Sequence, residues 1–280
     1  MPNPTDTPTA TAEIQRQRYP RSINAAGVAY HEAGEGEPLL LIHGVGMRLD
    51  AWEPQISELA KTHRVIAVDM PGHGESAKLP AGSTIKDFVA WVGRFLDDKG
   101  LDRVNIAGHS MGAMISGGSV ASFPERIIRV AYLNGVHRRD PFAKAAVLAR
   151  AAAIATIGID KEGPLLRWFG DDPNSNRARE LTRGWLGEID QESYATAYGA
   201  FAGGDDVFCD CWAAVKCPAM FLTGDGDPNS TPEMAETMAT MAQDGWAKII
   251  RGHRHMVNLT APQAVNTFMR DWLAREEKHR

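Results

Sequence analysis

The chain is poor in cysteine, has no long apolar run and carries no surplus of positive charge. Only Cys209, Cys211 and Cys217 occur among 280 residues. An odd and sparse set does not build a disulfide framework. The Cys209-Asp210-Cys211 spacing is not that of a CxxC redox pair, and no neighbouring His completes a zinc site. The three are expected to be reduced thiols, buried or partly buried. No apolar stretch is long enough for a transmembrane helix. The segment Met1–Pro20 is rich in Pro, Thr and Ala and lacks the apolar core of a signal peptide. The expected location is therefore the cytoplasm, with residues 1–18 a disordered tail. With 30 basic against 35 acidic residues and a net charge of −5, nothing draws the chain electrostatically to nucleic acid or to an anionic membrane. A small-molecule substrate is the expected partner, and a homo-oligomer stays open.

What is present is an alternation of strand-length apolar runs and helical patterns. Ser22 to His31 reads as a hairpin turning at Asn24–Gly27. Pro38–Ile42, Arg64–Val68, Val104–Ala107, Ile128–Leu133, Ala219–Thr223 and Ala247–Ile250 read as strands. Continuous apolar runs such as Pro38–Ile42 suit strands buried on both faces. Helices are expected over 52–61, 85–96, 111–123, 232–242 and 262–275. The stretch 85–96 shows a clear apolar stripe, with Thr84 and Asp87 placed as a capping box. Between 138 and 205 the alternation stops. Helical stretches such as 143–157 and 163–169 appear there, and no strand. Repeated βα units imply a mostly parallel sheet with helices on both faces. The expected organisation is an α/β core over 19–137 and 206–280, with a helical cap over 138–205. Such a cap would lie over the edge of the sheet where α/β folds bind ligands.

The strongest chemical signal is Gly108-His-Ser-Met-Gly112, which follows one strand and opens the next helix. G-x-S-x-G in that context is a nucleophile elbow, in which Ser110 sits on a strained turn and is lifted into the cleft. A Cβ at either flanking glycine would crowd that turn. The N–H of Met111, at a helix N-terminus, is aimed at a developing oxyanion. His43-Gly44-Val45-Gly46 follows an earlier strand and supplies a second donor, assigned to Val45. Asp69-Met-Pro-Gly-His-Gly-Glu-Ser76 follows the strand after that and reads as a structural turn, with His73 a packing or surface residue.

Together these motifs resemble the α/β-hydrolase superfamily over about residues 22–275. The similarity lies with its lid-bearing branch of 3-oxoadipate enol-lactonases, carboxylesterases and carbon–carbon bond hydrolases. The resemblance implies an α/β-hydrolase fold with a helical cap, a cofactor-free serine hydrolase without a metal, and the chain order Ser, acid, His. After strand 219–223 both Asp225 and Asp227 are available; the family's Gly-x-x-Asp pattern points to Asp227. The run Asp225, Asp227, Asn229 to Glu236 mimics a calcium loop, but Ser230 stands where that loop needs Gly and a strand precedes it. After strand 247–250 both His253 and His255 are available. The family's stretch running to a proline, here Pro262, points to His255. Where the family often has an acid five positions after that His, this chain has Thr260.

The resemblance implies that His255 takes the Ser110 proton, Asp227 orients the imidazole, and the Val45 and Met111 N–H groups hold the oxyanion. The leading expectation is a small carboxylic ester or enol-lactone cleaved through an acyl-enzyme. The alternative is a carbon–carbon or amide bond in an acidic catabolite, and a ligand receptor with vestigial hydrolysis is a further option. Arg138, Arg139, Arg150 and Arg167 lie in or beside the expected cap. Arg167-Trp168 is placed to grip a carboxylate, and Arg139 and His109 join the expected substrate contacts.

Overall fold

The structure, a computed structural model, describes residues 19–276; the tail expected over 1–18 lies outside them. The strands are β1 Ser22–Ile23, β2 Ala29–Ala33, β3 Pro38–Ile42, β4 Arg64–Val68, β5 Val104–His109, β6 Ile127–Leu133, β7 Ala219–Gly224 and β8 Gly245–Ile250. They form one eight-stranded sheet in the order β1-β2-β4-β3-β5-β6-β7-β8. The β1–β2 and β2–β4 pairs are antiparallel; all others are parallel. The order reverses at β3, so the chain crosses the sheet there, and the ends of β3 and β5 lie side by side, with Ile42 opposite Gly108. This is the expected α/β sheet, and the Ser22–His31 hairpin is present as β1 and β2.

Ten α-helices are found among the described residues: α1 Glu53–Leu59, α2 Ile85–Asp98, α3 Met111–Ser122, α4 Pro141–Thr156, α5 Glu162–Trp168, α6 Pro173–Glu188, α7 Gln191–Ala202, α8 Pro232–Met241, α9 Val257–Thr260 and α10 Pro262–Leu273. The apolar stripe of α2 is buried through Ile85, Phe88, Val92 and Phe95. The Asp87 carboxylate receives both the N–H (2.7 Å) and the hydroxyl (2.8 Å) of Thr84. Two apolar clusters flank the sheet. Leu40, Ile42, Ile66 and Ile106 face one, with α2 and α3. Leu39, Leu41, Val65 and Ala107 face the other, with α1 and α10. Alternate residues of the same strands thus feed opposite layers, which is why these runs are apolar throughout. Among the described residues no helix is long and apolar enough to cross a membrane.

Helices α4 to α7 lie between β6 and β7. The sequence pattern pointed to α4 and α5 but not to α6 or α7. The inward residues of α6 are Ser175, Ala178, Thr182, Trp185 and Leu186. They recur at helical spacing but are largely small or polar, so hydrophobicity alone does not show the period. The start signals are nonetheless local. Asp172 and Asp190 accept the N–H groups of Ser175 and Ser193 as N-caps, and Pro173 occupies the first turn of α6. No disulfide joins the three cysteines among the described residues; Cys209 is buried and Cys211 and Cys217 are half-buried.

Candidate active site

Ser110 occupies the single residue between β5 and α3, with φ 57° and ψ −117°. That region costs a non-glycine residue energy and persists only where the surroundings enforce it. Here the Ser110 N–H donates to the Leu133 carbonyl at 2.8 Å, and its own carbonyl accepts from Ala113 N–H at 3.0 Å. The flanking glycines allow the close approach. A Cβ on Gly108 would lie 2.0 Å from the Gly112 carbonyl oxygen, and one on Gly112 would lie 2.1 Å from that of Ile42.

Two distant loops converge on the Ser110 hydroxyl. His255 Nε2 lies 3.0 Å from Ser110 Oγ, and its Nδ1 lies 2.8 Å from Asp227 Oδ2. All three side chains are buried. Asp227 Oδ2 also accepts from Asn134 Nδ2 at 2.9 Å, and Oδ1 accepts from the Asn229 N–H at 2.9 Å. Burial pushes the Asp227 carboxyl up, but His255 and these two donors outweigh it and hold the group below its usual range. The competing candidates are elsewhere. Asp225 is exposed and accepts from the Gly252 N–H, while His253 Nδ1 lies 2.9 Å from Thr260 Oγ1. Thr260, where the family often has an acid, thus holds the other histidine.

The loop after β3 abuts the elbow: a Cβ on Gly44 would sit 3.0 Å from Ser110 Cβ. Two buried imidazoles brace it. His43 Nε2 accepts the Met70 N–H at 2.9 Å, which leaves Nδ1 to donate to the Gly44 carbonyl at 2.8 Å. His73 Nε2 accepts the Gly46 N–H at 3.0 Å, and its Nδ1 donates to the Pro71 carbonyl. Both rings must be neutral to do this. Burial lowers His43 well below its ordinary value and His73 to about 4. His73, expected as a packing or surface residue, is therefore a buried brace. Neither Val45 N–H nor Met111 N–H is used in the turn hydrogen bonds around them. Val45 lines the cavity beside Ser110, and Met111 is fully buried at the start of α3.

A small cavity of about 40 Å³ lies between Ser110 and the inserted helices. Arg139, Arg150, Arg167, Trp168, Tyr198 and Phe201 face Ser110 and His255 across it. A larger hollow, about 880 Å³, runs between residues 81–86 and the outer face of α7 and does not reach Ser110. The Trp168 ring lies 5.6 Å from the His255 ring, and the Trp168 carbonyl accepts the His255 N–H at 3.2 Å. His109 also lines the cavity, but its Nε2 donates to the His255 carbonyl at 2.8 Å, tying the elbow to the histidine loop. Burial lowers the His109 ring to about 3. Arg138, by contrast, turns outward to Asp210.

The sequence reading missed Asn134, Tyr198 and Phe201. The only sequence sign of Asn134 is its place at the end of β6, where a positive φ of 49° suits Asn. Tyr198 and Phe201 belong to α7, which that reading did not place.

The sheet, the elbow and the converging loops define an α/β-hydrolase. Residues 39–268 match the alpha/beta hydrolase family, and the chain belongs to it. The chain is a hydrolase. It is 48% identical over 244 residues to the (E)-2-((N-methylformamido)methylene)succinate hydrolase of Acinetobacter baylyi, spanning 87% of this chain and 93% of that one. Among solved structures it resembles the enol-lactonase of Burkholderia xenovorans LB400 (TM-score 0.82, 25% identity, covering 91% of this chain and 100% of that one). It also shares its fold with a thermophilic esterase of Thermogutta terrifontis (TM-score 0.82, 24% identity, covering 91% and 98%).

Proposed function

We propose that this enzyme hydrolyses an amide-type bond in a small unsaturated dicarboxylate through an acyl-enzyme on Ser110. This is the alternative in the sequence reading, moved ahead of the ester and lactone. The observation that carries it is the ring of cationic groups opposite Ser110. Arg139, Arg150 and Arg167 line one small cavity, and no ion pair to a carboxylate is made by Arg150 or Arg167 among the described residues. Arg150 Nε lies 3.2 Å from Tyr198 Oη, which is no counter-charge. Half-buried guanidinium groups without a carboxylate partner favour an anionic ligand. The name of the Acinetobacter relative supports the same class, since it joins an N-methylformamide to a succinate.

In this reading His255 removes the Ser110 proton as the hydroxyl oxygen attacks the acyl carbonyl. The carbonyl π pair moves to oxygen and is held by the Val45 and Met111 N–H groups; one such donor is worth about 10²–10³ in rate. The imidazolium formed is stabilised by Asp227 and returns its proton to the departing nitrogen as the carbon–nitrogen bond breaks. Water, deprotonated by His255, then attacks the acyl-enzyme and releases Ser110. Helices α4 to α7 act as the cap that closes the site.

Purified enzyme tested on an N-formyl enamine of a dicarboxylate, a simple aryl ester, an enol-lactone and a β-diketone decides the bond. Fastest turnover of the amide, lost in Ser110→Ala with an unchanged circular dichroism spectrum, is the expected result. Undiminished turnover by Ser110→Ala refutes the nucleophile. Fastest turnover of the lactone would favour the second reading, which the likeness to the enol-lactonase fold supports.

A further inference from the structure

The three arginines facing the cavity differ in one respect. The Arg139 side chain is only 4% exposed, and its two terminal nitrogens, Nη1 and Nη2, have no hydrogen-bond partner among the described residues. Its nearest counter-ion is Asp205, with Oδ1 3.3 Å from Nη1 but not aligned to accept from it. That oxygen has no aligned donor of its own among the described residues. Asp205 Oδ2 takes the Arg139 backbone N–H at 2.9 Å, and Lys144 Nζ lies 3.6 Å from Oδ1. The guanidinium carbon sits 4.4 Å from the centre of the Phe201 ring. Stacking on Phe201 fixes the plane of the group in the wall of the cavity that Arg139 lines.

A buried cation with its best donors unused is costly unless something completes it. Water can reach a cavity of about 40 Å³ but offers no counter-charge. A carboxylate satisfies such a group well, because its two oxygens match the guanidinium fork. Arg150 and Arg167 face the same cavity and make no ion pair to a carboxylate among the described residues.

We infer that Arg139 is a specificity-determining residue that binds one carboxylate of a dicarboxylate substrate, while Arg150 and Arg167 take the other. The inference rests on the dicarboxylate reading above and adds which arginine holds which carboxylate. It also assigns a place to each. Arg139 precedes α4 and Asp205 follows α7, so the carboxylate is held where the inserted helices join the core.

The test removes the contact from each side in turn. Full-length Ser110→Ala protein is titrated by calorimetry with succinate and with monomethyl succinate. Succinate is expected to bind about 30- to 100-fold more tightly, the range for one charge-assisted buried hydrogen-bonded pair. Adding Arg139→Met should bring the two ligands within about threefold of each other, because the contact that separated them is gone. Arg139→Lys, which keeps the charge and loses the fork, should leave a preference of about tenfold; it carries the test if the methionine variant does not fold. Three results overturn the inference: no preference for succinate in the parent, an undiminished preference in both variants, or equal weakening of both ligands. Turnover separates this from the function itself. Binding that follows Arg139 without hydrolysis of any amide, ester or lactone removes the proposed reaction and keeps the dicarboxylate site. Hydrolysis of an acidic amide with no dependence on Arg139 does the reverse.

Discussion

Asp227→Asn is the most informative single change, because both carboxylate oxygens already receive donors. Oδ2 accepts from His255 Nδ1 and Asn134 Nδ2, and Oδ1 accepts from the Asn229 N–H. An amide placed there must set its NH₂ against a donor on one side. Facing His255, it opposes two donors; facing Asn229, it opposes one. The second arrangement is the less costly, so the Asn carbonyl is expected to stay on His255 and keep the proton on Nδ1. The ring then remains a competent base, and what is lost is the negative charge beside the imidazolium. At an effective dielectric of about 20 and a charge separation of about 4 Å, that loss is about 4 kcal/mol, or about 10³ in kcat. A flipped amide would instead force the wrong tautomer and cost about 10⁴. The assay is kcat on an aryl ester, combined with nitrogen-15 chemical shifts of His255 to read the tautomer. A kcat within tenfold of the parent would refute the role given to Asp227. A drop near 10⁴ with Nε2 protonated would refute the argument about Asn134.

Three further outcomes are expected. His255→Ala should abolish turnover, whereas His253→Ala should lose only the Thr260 contact, about 1 kcal/mol of stability in urea unfolding; the opposite ranking would move the base. Stability should fall as pH drops below about 6.5, because burial holds His73 at about 4 and His109 at about 3 while the unfolded rings titrate near 6.5. The unfolded chain then binds more protons, costing on the order of 2 kcal/mol per ring at pH 5, and a flat urea midpoint from pH 7 to 5 would contradict this. Gly112→Ala should fail to give soluble folded protein, since its Cβ would meet the Ile42 carbonyl oxygen at 2.1 Å; normal expression and melting would show that the turn can give way.

How much of this was legible depended on whether the signal was local. The elbow was, because glycines two positions either side of a serine state a steric demand that the Gly108 and Gly112 distances bear out. The parallel sheet was also local, written in apolar runs such as Pro38–Ile42. Choosing between Asp225 and Asp227, or between His253 and His255, needed a family pattern, since composition treats each pair alike. Asn134, His43 and His73 were not legible as working parts. Their roles arise from which backbone groups they meet, and those partners come from other strands. Arg139 was one of four candidate arginines. Only burial and the placement of Asp205 set it apart from Arg138, which turns to Asp210.

The hydrogen bond from the His255 N–H to the Trp168 carbonyl, with Arg254 Nη1 reaching the Leu166 carbonyl at 2.9 Å, has a mechanical meaning. The roof of the chamber is fastened to the loop that carries the imidazole. A displacement of α5 would break a hydrogen bond made by the main chain of the residue that carries the ring. The segment that carries the imidazole and the end of α5 are thus tied at two points, through the main chain of His255 and the side chain of Arg254.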